Sequence, residues 1–350
     1  MRKLGKHDRL RHIQQNRRKL QKRLRRERRD LSKTRTLTPN RDTQKNSTGA
    51  IACPTPISLY SNGHYKRTLR FLSRLEQSIL APRPTRIDFS ETDRVSADGM
   101  LLFTARLMKL QHSGHLRNVR SSPSRTHKVR QVFTQLELND LLGLRNGRSE
   151  PIDDDVIYWM QASGNEVSLE HPVSIIDKLK ETDQLDEISA RYLFAGVSEA
   201  IDNSIYHAYD DPSSPPQESK SPKWWVFSRV ENGWLHFLQC DLGIGIPVSL
   251  PKKHSYTLID SIKRKFGLGN DDGHAIKAAM EIATTRTGQP ARGRGMPQMK
   301  QIIESEQQGR LVIYSNRGWY MYNARTGRDS FGGRRKSIEG TIIVWQVPLY

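Results

Sequence analysis

The chain is 350 residues long, with 57 Lys and Arg against 37 Asp and Glu and a formal net charge of +20. That length accommodates two domains, each with a core of its own. Only Cys53 and Cys240 are present, which excludes a disulfide scaffold and a paired-cysteine metal site and fits a reducing, cytoplasmic setting. No apolar run approaches the roughly 18 residues that a bilayer-crossing helix needs, and none follows the basic N-terminus as a secretory signal would require.

The positive charge is uneven. Residues 1–30 hold ten Arg and four Lys against Asp8, Glu27 and Asp30, a net +11 that leaves only +9 for the rest. Leu4, Leu10, Ile13, Leu20 and Leu24 are too sparse for a core stripe, so the segment reads as a basic helical or disordered arm. It suits nonspecific contact with nucleic-acid phosphates or a purely solubilising role, and no aromatic residue is interleaved to stack on bases. Deleting residues 1–30 is expected to abolish most RNA or DNA retention in a gel shift across a salt series; undiminished retention would move the contact to the folded domains. Residues 31–53, rich in Thr, Ser, Asn and Lys, read as linker, so the arm and linker together span 1–53.

A small α/β domain is expected over 54–150. Leu69, Leu72, Leu75 and Ile79 mark one helical face that Pro82 and Pro84 end, and Arg86 to Ser90 reads as a short strand. Ser96-Ala97-Asp98-Gly99 then precedes a helix over Met100 to Leu107. Val129 to Val132 reads as another strand, and Leu136, Leu138, Leu141 and Leu142 as the start of a third helix. This order resembles the STAS-like domains of bacterial regulatory proteins, where a strand leads through a short Asp/Ser loop into a helix. The resemblance implies that Ser90 or Ser96 stands where such domains carry a phosphorylated serine, although turn and cap roles explain both equally well.

Residues 151–165 are acidic and polar, with Ile157-Tyr158-Trp159 as an expected strand. A second domain is expected over 166–350. Leu185 to Tyr209 forms one long amphipathic helix, interrupted at most near Gly196. Trp224 to Arg229 and Trp234 to Asp241 alternate around Asn232-Gly233, a strong hairpin signal. Helices follow at Ala275 to Ala283 and Met296 to Ser305. Strands close the chain at Arg310 to Ser315, Gly318 to Asn323 and Thr341 to Val347, with Arg325 to Lys336 in a loop before the last. Helices on one face of a mostly antiparallel sheet make an α+β, two-layer domain.

Three short elements carry the chemistry. Glu199, Asn203 and His207 lie four apart and therefore on one helix face. Asn203 offers a carbonyl oxygen that Mg2+ accepts beside phosphate oxygens, and Glu199 can take a proton from an attacking water. His207 falls toward the wet end of that stripe. Asp241-Leu242-Gly243-Ile244-Gly245-Ile246-Pro247 ends a strand; Gly243 and Gly245 let the backbone approach a flat ring, while Asp241 can accept the amine hydrogen of adenine. Gly293-Arg294-Gly295-Met296 opens a helix whose free N–H groups and arginine suit phosphate. No Walker motif occurs, and Gly243-Ile244-Gly245 lacks the third glycine of a dinucleotide fingerprint.

These residues resemble the GHKL superfamily of gyrase, chaperone, histidine-kinase and MutL-type ATPases, with their Bergerat ATP-binding fold. Glu199 to His207 looks like that family's N box, Asp241 to Pro247 like its first glycine box, and Gly293 to Met296 like its second. Gly340-Thr341 resembles the position whose threonine holds adenine through water. The resemblance implies ATP and Mg2+ as ligands, and an ATP lid over about 249–292 with glycines at 267, 269 and 273 permitting movement. Met296 departs from the usual Leu, a mild change. His112 and His115 read as surface residues, and no paired-helix phosphoacceptor module precedes the domain, so a sensor histidine kinase is disfavoured. The leading expectation is a cytoplasmic ATPase acting as a nucleotide-driven switch on a protein partner or a second copy. The alternatives are a serine/threonine kinase of the anti-sigma-factor type and a nucleic-acid-binding or structural protein with a regulatory nucleotide site.

Overall fold

The structure, a computed structural model, describes residues 49–145, 152–210, 221–285 and 295–349. Residues 50–349 form one compact unit. The basic arm expected over 1–30 lies outside the described residues.

The first part of this unit is a three-stranded parallel sheet of β1 (Ile51–Ala52), β2 (Thr85–Asp88) and β3 (Val119–Ser122), with β2 in the middle. Its helices are α1 (Asn62–Leu80), α2 (Ala97–His112) and α3 (His127–Gln135). Ser61 caps α1 by accepting from the His64 N–H at 3.2 Å, and Leu69, Leu72, Leu75 and Ile79 are buried as their spacing predicts. Two expectations fail in this part, and one strand was not foreseen. Val129 to Val132 belongs to α3, because Val129, Val132 and Phe133 recur at helical spacing and are buried on one side. The third strand is instead Val119–Ser122, a polar edge with no apolar alternation to reveal it. Leu136 to Leu142 forms turns with Glu137 at positive φ; Leu136, Leu138 and Leu142 are buried and Leu141 partly so, without being helical. Ser96 Oγ lies within hydrogen-bond reach of both the Ile57 carbonyl, at 3.0 Å, and Asp98, whose carboxylate accepts from the Leu59 and Gly99 N–H groups. Its hydroxyl therefore closes the loop before α2.

The second part is a seven-stranded antiparallel sheet in the order β4-β5-β6-β10-β7-β8-β9. The strands are β4 (Met160–Gly164), β5 (Trp224–Glu231), β6 (Trp234–Asp241), β7 (Arg310–Ser315), β8 (Gly318–Asn323), β9 (Arg328–Gly333) and β10 (Thr341–Pro348). The expected hairpin turns at Asn232 and Gly233, both at positive φ as a two-residue turn requires. Ile157 to Trp159 is a turn that leads into β4 rather than a strand. β9 falls within the stretch read as a loop; its Arg-Asp-Ser-Phe-Gly-Gly sequence carries no strand signal and is held by pairing with β8.

Both faces of this sheet are covered. On the front lie α4 (Glu170–Glu181), α5 (Glu187–His207), α8 (Asp272–Thr285) and α9 (Gly295–Ser305). Leu193, Val197, Met299 and Ile302 from these helices pack on Phe237, Ile343 and Trp345. The back face, with Trp225, Phe227, Leu238, Cys240, Ile342 and Val344, shares one core with Met100, Leu101, Phe103 and Phe89. A single helical layer was expected, yet α2 supplies a second by packing across β5, β6 and β10. Arg106 ties the two parts together: it donates to Glu76 and to the Ile338 carbonyl at 2.9 Å while itself nearly buried. Among the described residues no helix is long and apolar enough to cross a membrane.

Candidate functional site

The long helix α5 starts where Asp186 accepts from the Ile188 and Ser189 N–H groups at 2.9 and 3.0 Å, and it runs unbroken through Gly196. Its buried face is Leu193, Val197, Ala200, Ile201 and Ser204. Glu199, Asn203 and His207 form the neighbouring stripe, partly open rather than facing bulk solvent.

A cavity of about 550 Å³ opens between the C-terminal half of α5, the ends of β6 and β10, and the helices α6 (Ile246–Lys253), α8 and α9. Glu199, Asn203, His207, Asp241, Gly245, Met296 and Thr341 all line it. Such a volume matches pockets that take small molecules and cofactors. Gly243 stands behind the wall, where its backbone touches Ala208 at the end of α5; Gly295 opens α9, and Gly293 and Arg294 lie outside the described residues.

The floor is built by strand register. β10 lies between β6 and β7, so Thr341 is opposite Asp241 on one side and Ser315 on the other. The Ser315 and Thr341 hydroxyls are 3.0 Å apart, and Ser315 Oγ accepts from the Ile246 N–H at 2.8 Å, which fixes the start of α6. Asp241 is buried and accepts from the Gly243 N–H at 3.0 Å. Burial pushes its carboxyl up to about 7, against the pull of hydrogen bonds from Gly243 and Thr341. Ile246, Leu250, Ala279 and Ile343 give the same cavity apolar lining.

The lining also holds polar and charged groups. Asn203 Nδ2 donates to the Glu199 carbonyl at 2.8 Å and to Glu199 Oε1 at 3.0 Å. Its own Oδ1 is thereby turned away from Glu199. Burial raises the Glu199 pKa, with the Asn203 hydrogen bond opposing, Asp202 adding to the rise and Lys253 opposing it. Lys253 Nζ is 3.2 Å from His207 Nε2, and burial, followed by this lysine, lowers the His207 pKa. Among the described residues no group of three His, Cys, Asp or Glu could hold a metal by itself. One amide oxygen beside phosphate oxygens and water is the arrangement that suits Mg2+, which keeps most of its waters.

Two features of the cavity were not read from the sequence: Gln239 lines it two residues before Asp241, and Ser315 links Thr341 to α6. Lys253, read only as one of the basic residues of the lid, lies beside His207 in the lining. The period-two alternation of β6 was a usable signal for Gln239, since a polar residue in line with Leu235, Phe237 and Asp241 has to face the same layer. Of the segment read as a lid, residues 249–285 are described and largely helical: α6, α7 (Tyr256–Phe266) and α8 share a small core of Leu250, Ile259, Ile262, Ala278, Ala279 and Ile282. Gly273, expected to permit movement, is where α8 touches the Gly332 backbone of β9; a Cβ there would fall 2.3 Å from the Gly332 oxygen.

No protein-family model matches the sequence, and no curated protein matches it.

Proposed function

We propose that residues 166–350 form a Bergerat-type ATP-binding domain of the GHKL kind, and that the protein is a Mg2+-dependent ATPase working as a nucleotide-driven switch. The observation that carries this reading is the convergence of Glu199, Asn203, His207, Asp241, Gly245, Met296 and Thr341, from separate elements, on one cavity. A lining that combines apolar Ile246, Leu250, Ala279 and Ile343 and a buried carboxyl with the polar Glu199, Asn203 and Lys253 fits a ligand that carries both a base and phosphates.

In this reading the Asp241 carboxylate accepts a hydrogen from the exocyclic amine of adenine, and Thr341 orients that carboxylate. Asn203 offers its Oδ1 to Mg2+, which when bound supplies charge neutralisation between the phosphates. Glu199, held by Asn203 Nδ2, accepts a proton from the attacking water; its raised pKa brings it closer to the operating pH, where a general base is most effective. Lys253 and His207 flank the phosphate end. The roles of Gly293 and Arg294 rest on the sequence resemblance alone.

Titration calorimetry with ATP and GTP, with and without a chelator, tests the reading. ATP should bind saturably and with Mg2+ dependence, and GTP at least about tenfold more weakly, since guanine sets a carbonyl against a buried carboxyl. Equal affinities would remove the adenine assignment; no ATP binding would remove the whole reading. Binding should also release protons near pH 7. The free carboxyl titrates at about 7, whereas an amine donor favours its ionised form and lowers that pKa. The free protein then holds more protons than the complex, so affinity should rise with pH between 6 and 7 and level off above. The binding heat should vary with the ionisation enthalpy of the buffer. With γ-labelled ATP, free phosphate is the expected product; label transferred to a protein serine would instead mark a kinase.

A further inference from the structure

Gln239 is fully buried on the cavity floor, and its Oε1 has no hydrogen-bond partner among the described residues. An acceptor in that position is costly unless a ligand or a water supplies the missing donor. The orientation of its amide is set by its other end. Nε2 donates to Ser204 Oγ at 2.7 Å, and Ser204 Oγ in turn donates to the Ala200 carbonyl at 3.0 Å. A hydroxyl carries a single hydrogen, so Ser204 spends its own on Ala200 and can only accept from Gln239. Oε1 is therefore the side-chain atom left without a partner, on a residue that lines the cavity.

Gln239 and Asp241 stand two apart on β6 and face the same layer, with their Cα atoms about 7 Å apart along the strand. An amine group whose two hydrogens each make a bond of ordinary length, diverging at 120°, needs acceptors about 5 Å apart. Side chains of these lengths reach that separation. Phe237, the next residue inward on the same face, is apolar and bonds to nothing polar, so the acceptor pair ends there.

We propose that Gln239 is a specificity-determining residue: its Oε1 and the Asp241 carboxylate each accept one of the two hydrogens of a single exocyclic amine, which makes the site selective for 6-aminopurine nucleotides. The inference rests on the adenine-nucleotide reading of the same cavity and adds a second reader of the base. A 6-keto purine would meet two acceptors with a third. A purine bearing only hydrogen at that carbon would leave both without a donor.

The test titrates ATP and purine riboside triphosphate, which lacks the amine, against the parent protein and Gln239→Met, a swap of similar volume without the acceptor. Ser204 keeps its bond to Ala200 in the variant. Gln239→Met should weaken ATP about tenfold and leave the analogue within twofold. Equal losses for both ligands would make Gln239 a packing residue and overturn the proposal, as would an unchanged ATP affinity. A second measurement needs no variant: with both amine hydrogens in use, N6-methyl-ATP should bind the parent at least about tenfold more weakly than ATP. Unchanged affinity for N6-methyl-ATP also overturns the role of Gln239 while leaving the ATP site intact. Absence of ATP binding by the parent overturns the nucleotide reading and this proposal with it.

Discussion

Glu199→Ala is expected to lower ATP turnover by roughly 10²–10⁴-fold while leaving most of the ATP affinity in place. A group that accepts the proton of the attacking water acts in the transition state, so its loss appears in kcat more than in binding. Glu199 sits on the same stripe as Asn203 and takes a hydrogen bond from it, so truncation alone also disturbs its neighbour. Glu199→Gln separates the two effects, because the amide still accepts from Asn203 Nδ2 but cannot act as a base at neutral pH. Both variants should be equally slow. Asn203→Ala should differ from them by weakening Mg-ATP binding itself. Turnover at the parent rate in Glu199→Ala would withdraw the general-base role and leave a binding switch without that chemistry.

The second large effect is structural and reaches the site through the turn after β6. An alanine Cβ at Gly243 would fall 2.0 Å from the Ala208 carbonyl oxygen, against backbone that cannot rotate away. The same carbonyl accepts from the Ile244 N–H at 2.7 Å, so the contact joins the end of α5 to the glycine turn. Gly243→Ala must push these elements apart, and the neighbouring Gly243 N–H to Asp241 bond moves with them. A loss of about 2–4 kcal/mol in chemical denaturation is expected, at the severe end for a single substitution. ATP affinity of the remaining folded protein should fall about tenfold or more. Gly63→Ala is the matched control: it sits inside α1 with open space around its Cβ position and should stabilise by about 0.5–1 kcal/mol. If Gly243→Ala were as mild as the control, the tight junction between α5 and the turn would not be what holds the site.

Much of the second part was legible before the fold was known. The heptad-like spacing of Leu193, Val197, Ala200 and Ser204 marks α5, and the same periodicity puts Glu199, Asn203 and His207 on an adjoining stripe. Asn232-Gly233 announces the β5–β6 hairpin because Asn and Gly tolerate the two positive φ angles of a type I′ turn, whose twist matches that of the strands. Strands without an apolar pattern were not legible: Val119–Ser122 and Arg328–Gly333 are edges paired to their neighbours, and each sends only one apolar side chain, Val119 and Phe331, against a core. The Val129 and Val132 pair read as strand because β-branched residues favour it, and packing decided otherwise once Phe133 joined them at helical spacing.

By itself the sequence determined the local elements and the chemical inventory of the candidate site: a helix with a carboxylate, an amide and an imidazole four apart, and a strand ending in Asp241 before a glycine turn. Periodicity and turn chemistry act over a few residues, so they can be read along the chain. Tertiary structure alone decided which groups meet. Inserting β10 between β6 and β7 sets Thr341 between Asp241 and Ser315, and strand order depends on pairing between distant segments that no local pattern encodes. Layering decided the rest. Residues on a strand reveal that they alternate, not which face will be roofed by which helix, and so the covering of the back face by α2 and the bare acceptor of Gln239 emerge only when the layers are stacked.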